Sequence, residues 1–301
     1  MFTIINKKSL ASDISLIEVF APRIANVLLP GQFVTLQPTG KSRKIALPVC
    51  GWNRDSGTVS LLVQVVDAST EMLAHNDQVS ILYDMLGPMG KPSALTECND
   101  RELLNAKILF IANGAGEAAI LAQVKWLSDI GCKVDVLLAA KSKNKMLFRT
   151  EIEKLSNQVY YATDDGSTGF HGSAAQLLDI LLEKDANSYD LITSIGSLRF
   201  MKSISAVTLK YGIPATVGFE SLLTSTLLTD SNFKIMVGNV QKDVTIDGPE
   251  FNAPLIDFDH AINHQLASLT ILDQAGKPDR SQAVVHEIGK PYKTSPIPRQ
   301  A

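Results

Sequence analysis

The chain has 301 residues, of which 45% are hydrophobic and 20% charged, and its net charge at pH 7 is −3. This length can form two domains with a sizeable core, and the near-neutral charge gives no basis for binding nucleic acid or an anionic membrane. The three cysteines lack metal spacing, no apolar run is long enough to span a membrane, and the first residues lack the regions of a signal peptide. The sequence therefore predicts a cytoplasmic protein.

Residues 1–102 are predicted to form an antiparallel β-barrel. Short runs rich in β-branched residues alternate there with turns that contain glycine, proline and aspartate. The candidate strands are Met1–Ile5, Ile14–Phe20, Gln32–Gln37, Thr58–Val66 and Gln78–Leu82, with a short helix over Ser69–Ala74. Gly87–Pro92 contains too many glycines and prolines for regular structure to be expected.

Residues 103–220 are predicted to form a doubly wound parallel sheet, because strands and helices alternate at the spacing of βαβ units. The candidate strands are Lys107–Ala112, Lys133–Ala140, Gln158–Ala162, Leu191–Ile195 and Ala215–Phe219. The candidate helices are Glu117–Ile130, Arg149–Leu155, Ser173–Glu183 and Arg199–Tyr211. After Glu220 the pattern is irregular, and residues 261–301 are predicted to be a tail.

A glycine turn follows the first strand of this second part. Gly114 and Gly116 stand between a buried strand and a helix. A turn of this kind presents backbone N–H groups and a helix N-terminus to a phosphate. By itself the signal is weak, since parallel α/β domains need glycines at some of these turns in any case.

Other segments resemble the ferredoxin–NADP reductase-like superfamily. Gly87–Pro92 resembles its GP[LM]GKP turn, and Val63–Leu73 looks like its VFQxVGxST segment, which faces the pyrophosphate of FAD. Ala162–Gly172 resembles its TDDGSxGxxG loop, and Asp247–Asp259 is similar to its DGPEFDGHxVDFD segment. The resemblance covers residues 1–260 and is nearest to three small subunits: those of NADH-dependent ferredoxin–NADP oxidoreductase, sulfide dehydrogenase and dihydroorotate dehydrogenase (its electron-transfer subunit).

The resemblance implies FAD on the barrel and a pyridine nucleotide, NAD(P)H, on the α/β part, with hydride transfer between them. The residues matched to the FAD side are Arg43, Lys44, Leu47, Gln64, Ser69, Thr70, Gly87, Pro88, Gly90 and Lys91. The residues matched to the pyridine-nucleotide side are Gly114, Gly116, Asp164, Asp165, Gly166, Ser167, Gly196 and Met201. For the Ser-Thr pair, a plain helix cap is the alternative interpretation.

The sequence departs from the family at several of these positions. Where the family reads roughly RIPLTI, Lys44 keeps the positive charge without the planar fork of arginine, and Pro48 has no donor. FAD binding is therefore expected to be weakened. Glu117 puts a carboxylate in the first turn after the glycines, where it favours the helix dipole but is expected to repel a dinucleotide pyrophosphate.

In the resembled small subunit, Asp or Cys and then three cysteines hold a [2Fe–2S] cluster in residues matched by 221–260. The corresponding positions are here Ser225, Asp230, Phe233 and Thr245. Iron–sulfur clusters need thiolate ligands. We therefore expect no [2Fe–2S] cluster and interpret 221–260 as a remnant of that region.

Two functions from different classes remain open. In the first, the chain is an FAD-dependent electron-transfer subunit of an NAD(P)H oxidoreductase complex without a cluster. In the second, it is a degenerate, non-catalytic subunit kept for its fold. The retained flavin-facing turns slightly favour the first. Lys293–Gln300 resembles part of the glutamate-synthase-like large subunit that pairs with this family, so docking on such a partner and simple disorder both remain open for the tail. The sequence does not decide between NADH and NADPH.

Overall fold

The computed structural model describes residues 2–76, 78–185, 187–224 and 233–265. Its first sheet has seven antiparallel strands and curls into a nearly closed barrel, as the sequence predicts, with the order β6-β1-β2-β5-β4-β3-β7. The strands are β1 (Phe2–Ala11), β2 (Ile14–Phe20), β3 (Phe33–Gln37), β4 (Ile45–Asn53), β5 (Thr58–Gln64), β6 (Ile81–Leu82) and β7 (Asp84–Met89). The helices of this part are α1 (Pro22–Val27) and α2 (Ala68–His75).

The expectation that Gly87–Pro92 is irregular is wrong for its first three residues, which belong to β7. β7 is the edge strand beside β3, and Pro88 falls in the register shift between the Phe33–Met89 and Thr35–Leu86 pairs. The segment resembling the flavin-binding stretch is likewise a strand, β4, which pairs with β3 and β5.

The second sheet is parallel through β13 and carries helices on both faces, which confirms the doubly wound α/β fold. Its strands up to this point are β8 (Ile108–Asn113), β9 (Asp135–Ala140), β10 (Gln158–Thr163), β11 (Phe170–His171), β12 (Leu191–Ile195) and β13 (Ala215–Gly218). The helices are α3 (Asp100–Asn105), α4 (Gly116–Asp129), α5 (Arg149–Leu155), α6 (Ala174–Lys184) and α7 (Leu198–Tyr211). Within β8, Phe110 packs with α4 and α5 whereas Ile111 packs with α6 and α7.

The chain then forms α8 (Glu220–Leu223), the hairpin β14 (Lys234–Val237) and β15 (Val240–Asp243), α9 (Val244–Asp247), β16 (Glu250–Asn252) and a helix over 258–265. β16 pairs antiparallel with β13 and completes the order β11-β10-β9-β8-β12-β13-β16. The irregular pattern expected after Glu220 therefore contains a hairpin, whose Gly238-Asn239 turn is a hairpin signal that the sequence analysis missed. The 258–265 helix crosses residue 261, where the tail was predicted to begin, and Ala261 is buried.

The barrel and the α/β part share buried side chains. Phe33 of β3 and Ala46 of β4 lie in the same hydrophobic cluster as Leu222 and Leu223 of α8. The Thr224 hydroxyl, directly after α8, donates to the Ala46 carbonyl at 3.0 Å. α8 therefore packs against both the barrel and the α/β part. Among the described residues, none of the helices has the length and apolar character that crossing a bilayer requires.

Candidate functional site

The N-terminus of α4 is open. Gly114 has φ +55° and lies exposed, with no other atoms within 4 Å of a Cβ built there. Ala115, the N-cap residue, makes no side-chain cap. Within the described chain, no acceptor bonds to the N–H groups of Ala115 and Gly116, so this helix start keeps unsatisfied donors at the carboxyl end of β8.

Close packing fixes the walls of this turn. A Cβ on Gly116 would lie 2.2 Å from the Ile195 carbonyl oxygen, and one on Gly196 would lie 2.0 Å from Asn113 Oδ1. Asn113 Oδ1 also accepts the Ser197 N–H at 3.2 Å. The ends of β8 and β12 are therefore held against each other, and only glycine fits at the two contact positions.

Glu117 does not face the open turn. Its side chain is fully buried, and Oε2 accepts the N–H groups of Leu147 at 2.8 Å and Phe148 at 3.2 Å, just before α5. Burial raises the pKa of Glu117 to about 7 against the lowering effect of these two hydrogen bonds. The carboxylate therefore bonds to the segment just before α5 rather than facing the glycine turn, and its expected repulsion of a bound pyrophosphate stays a prediction.

The acidic loop after β10 lies at the same edge of the sheet. Asp165 Oδ1 accepts the Ser167 N–H at 2.9 Å, and the Ser167 hydroxyl accepts the Lys143 N–H at 2.8 Å. Burial raises the pKa of Asp164, and hydrogen bonds from Ser167 lower that of Asp165. Gly166 has φ +71° and packs against the His171 ring. The loop is thus pre-formed by its own hydrogen bonds.

The N-terminus of α2, in contrast, is closed. Asp67 is the N-cap residue, and its Oδ1 accepts the Thr70 N–H at 2.9 Å. The buried Thr70 hydroxyl accepts the N–H groups of Val66 and Asp67, both at 2.9 Å. Asp67 Oδ2 pairs with Nε of Arg43. Burial acts to raise the pKa of Asp67, but the hydrogen bonds from Thr70 and Arg43 hold it below its usual value.

The barrel strand beside this helix is mostly covered. Leu47 is fully buried in the barrel core, and Pro48 stands opposite Phe33 in the ladder. Lys44 is half exposed, and its Nζ lies 4.0 Å from Asp84 Oδ2. This segment therefore offers few free polar groups.

The GPMGKP turn, Gly87–Pro92, contacts the DGPEF segment that begins at Asp247. Lys91 N–H donates to the Gly248 carbonyl at 2.6 Å, and a Cβ on Gly90, at φ +73°, would lie 2.8 Å from the same oxygen. The turn therefore joins the barrel to the DGPEF segment. This contact has a structural role that does not depend on a bound ligand.

A cleft of about 390 Å³ lies at the opposite end of the α/β sheet, by the amino ends of β8, β9 and β10. Its polar groups are largely satisfied internally, since Asp135 accepts hydrogen bonds from Asn157 and Tyr189, both at 2.9 Å. We assign it no function, because nucleotides bind at the carboxyl ends of parallel strands.

Comparison with known proteins places this geometry in a family. No family model matches the chain. An uncharacterised protein in the adh 3′ region of Clostridium beijerinckii is 31% identical over 265 residues, which is 88% of this chain and 90% of the relative. The dihydroorotate dehydrogenase B (NAD(+)) electron transfer subunit of Desulforamulus reducens is 30% identical over 212 residues, 67% of this chain and 75% of that subunit. The chain belongs to this electron transfer subunit family.

The structural neighbours agree on the fold. A chain from a study of flavin-based electron bifurcation, on the NADH-dependent reduced ferredoxin–NADP oxidoreductase structure, aligns with a TM-score of 0.77. The alignment has 22% identity and covers 96% of this chain and 98% of that one. The family resemblance drawn from the sequence motifs is thereby confirmed, and the fold is ferredoxin–NADP reductase-like.

The remaining predicted site residues of this electron transfer subunit homologue are scattered. Met201 belongs to α7 and is fully buried in the core, whereas Gln64 and Ser69 are half-buried near the start of α2. Their roles toward a cofactor stay predictions. Gly87 and Pro88 lie in β7, where a Cβ on Gly87 would lie 2.8 Å from the Val34 side chain.

Two of the positions matched to cluster ligands can be described. Phe233 is buried and packs edge-to-face on Phe219 at 5.9 Å, and Thr245 donates through N and Oγ1 to Asp243 Oδ1 at 2.8 and 2.6 Å. Ser225 and Asp230 lie outside the described residues, as does the Lys293–Gln300 segment. Over the described ranges, no three His, Cys, Asp or Glu side chains are grouped as metal ligands.

Three acidic residues near these sites were not predicted from the sequence: Asp67, Glu220 and Glu250. Asp67 could have been found, because it stands where the VFQxVGxST pattern has a glycine. Glu220 is buried with neither carboxylate oxygen bonded in the described structure, and burial raises its pKa to about 8. Glu250, on β16, is partly buried, and desolvation raises its pKa. For Glu220 and Glu250 no local sequence signal exists, because their burial depends on the packing of α8 and β16.

Proposed function

We propose that this protein is the pyridine-nucleotide-binding subunit of a flavin oxidoreductase complex and that it works without an iron–sulfur cluster. The observation that carries the proposal is the open start of α4, where the N–H groups of Ala115 and Gly116 have no acceptor among the described residues. A helix N-terminus of this kind combines unsatisfied donors with the positive end of the helix dipole, which suits a phosphate. The bound nucleotide would supply a hydride to the flavin of the complex.

The nucleotide we propose is NADH. Asp164 and Asp165 stand at the end of β10, on the same sheet edge as the open turn. Carboxylates near an adenosine ribose accept its hydroxyl groups and repel the additional phosphate of NADPH. The Desulforamulus reducens relative, which carries NAD(+) in its description, supports the same choice.

FAD, which the family resemblance implies for the barrel, does not fit the residues as they are arranged. The helix start that would receive its pyrophosphate carries the Asp67 carboxylate, and the Arg43 guanidinium is already paired with that carboxylate. Two negative groups cannot share the same donors without strong repulsion. We therefore derive no step through FAD held by this chain.

The absence of a cluster and the presence of a partner are parts of the same proposal. Phe233 cannot ligate iron, and the three cysteines are unpaired, with Cys50 and Cys132 buried elsewhere in the fold. Unpaired thiols suit a reducing, cytoplasmic compartment. The partner would be an oxidoreductase large subunit, such as a glutamate-synthase-like one, that holds the flavin.

A matched pair of variants tests the nucleotide site. Gly114→Asp and Gly114→Asn both place a side chain that tolerates positive φ into open space, but only the first adds a negative charge. We expect Gly114→Asp to weaken NADH binding by about tenfold or more relative to Gly114→Asn, from charge repulsion at close range. Calorimetric titration of the purified full chain with NADH and NADPH measures both the loss and the preference.

The second candidate function is the non-catalytic subunit, and the closed start of α2 is the observation that favours it. It predicts that NADH and NADPH both fail to bind to the wild-type chain. Equal NADH affinity of the two Gly114 variants would also remove the proposed site. Iron and acid-labile sulfide in protein purified without oxygen would contradict the cluster-free part of the proposal.

A further inference from the structure

The first turn of α2 holds an internal anion. The Asp67 carboxylate accepts the Thr70 N–H and hydroxyl through Oδ1, each at 2.9 Å, and pairs with Arg43 through Oδ2. Backbone N–H groups at a helix start together with an arginine fork are the donors that proteins use for a phosphate. In this chain they bind a carboxylate of the chain itself.

All three nitrogens of the Arg43 guanidinium donate hydrogen bonds within the chain. In addition to the Asp67 pair, Arg43 Nη1 donates to the Lys44 carbonyl at 3.2 Å and Nη2 to the Thr224 carbonyl at 3.3 Å. Its side chain is only 12% exposed. Thr224 follows α8 and itself bonds to Ala46 of the barrel. The Asp67–Arg43 pair is therefore part of a connection between the barrel and the residue that follows α8.

The threonine hydroxyl is equally occupied. Thr70 is fully buried, and its Oγ1 accepts from the backbone of both Val66 and Asp67 while its own proton faces an Asp67 oxygen at 2.9 Å. A hydroxyl can accept two hydrogen bonds and donate one. No capacity is left for a bound phosphate.

We propose that Asp67 takes the place of a diphosphate at the barrel, so that this chain does not bind FAD and uses the former anion site to fasten its two parts together. The position corresponds to a glycine in the family segment, where no side chain would compete. The inference is independent of NADH binding at α4, because the two helix starts share no residues.

The test is a gain of function. Asp67→Gly removes the carboxylate and retains a residue that serves as an N-cap with little loss of helix stability. FAD titration of the full-length chain, followed by flavin fluorescence quenching, is expected to show no binding to the wild type. The Asp67→Gly chain is expected to bind FAD with a dissociation constant at least about tenfold below the highest FAD concentration at which the wild type shows no binding, a difference of about 1.4 kcal/mol or more. Asp67→Gly combined with Arg43→Gln is expected to lose that gain.

Asp67→Asn is the second variant, since it keeps the shape and the cap without the charge. It is expected to fall between the wild type and Asp67→Gly. Wild-type protein that binds FAD as tightly as Asp67→Gly would overturn the proposal, as would a folded Asp67→Gly and a folded Asp67→Asn that both fail to bind FAD. Titration with NADH in parallel separates this outcome from a failure of the proposed nucleotide site.

Discussion

The starts of α2 and α4 are the two helix N-termini at which a dinucleotide-binding protein of this fold would hold phosphate. They differ in the group that occupies their N–H donors. At α2 an aspartate of the chain occupies the donors and an arginine neutralises it. At α4 no side chain caps the helix, and the neighbouring glutamate is turned into the protein. The difference shows that a binding site can be lost although its sequence motif is retained. What decides is the group that occupies the backbone N–H donors of the helix start.

The start of α8 is a third helix N-terminus to compare. A substitution there has the largest expected effect on the free energy of unfolding. Glu220 is buried without a hydrogen-bond partner in the described structure, and its pKa is raised to about 8 from 4.5. The folded state then holds a proton that the unfolded state releases, so stability is lost as pH rises from about 4.5 to 8. Glu220→Gln is expected to raise the free energy of unfolding by roughly 3–5 kcal/mol at pH 9 and by little at pH 4.5.

Urea unfolding of the two proteins at both pH values measures this difference. Glu220→Asp, which keeps the acid, serves as the control and should retain the pH dependence. A Glu220→Gln stabilisation that is equal at the two pH values would show that the carboxyl is not neutral in the folded protein.

Glu117 lies in the first turn of α4, and substituting it tests the open helix start. Glu117→Ala leaves the part-buried N–H of Leu147 and the buried N–H of Phe148 without their acceptor, and we expect a loss of about 2 kcal/mol in the free energy of unfolding. NADH affinity is expected to change by no more than about twofold, because the carboxylate points away from the glycine turn. Denaturant unfolding and NADH titration of the same sample measure the two effects.

Glu117→Gln provides the control, since its amide oxygen can still accept one of these hydrogen bonds. Because burial raises the pKa of Glu117 to about 7, the wild type loses stability relative to this variant as pH rises from 4.5 to about 7. Tighter NADH binding by Glu117→Ala would instead mean that the carboxylate does act on the bound phosphates.

Asp67 gives the smallest expected effect on stability. Its pKa is lowered in the folded protein, so its contribution is present above the ordinary aspartate pKa and disappears as pH falls through the lowered value. Asp67→Asn keeps the cap and loses the ion pair, and is expected to lower the free energy of unfolding at pH 7 by about 1 kcal/mol. Thermal unfolding from pH 7 down to pH 2 should show the wild type and the variant converging. A constant difference would mean that the charge contributes nothing.

Local pattern was enough to predict most of the architecture. The bounds of α5 and β12 agree with the predicted ones residue for residue, since hydrophobic periodicity and flanking turns determine both. β7 was missed because its proline and glycine oppose a strand assignment that only an edge position allows. Packing between distant segments is not encoded in such local patterns.

The candidate site was less predictable for the same reason. The Glu117 carboxylate binds amides 30 and 31 residues away, and Asp67 pairs with an arginine 24 residues earlier. The Gly114 turn could be identified as a phosphate candidate from its glycines alone. Whether each helix start is open depends on these long-range contacts, which only the folded chain shows.

Paired calorimetric titrations of the wild-type chain with NADH and with FAD test the central claim most directly, because they read both helix starts in one protein. The account predicts saturable binding of NADH at α4 and no binding of FAD at α2. FAD binding without NADH binding would reverse the assignment of the open and the closed site and contradict the account.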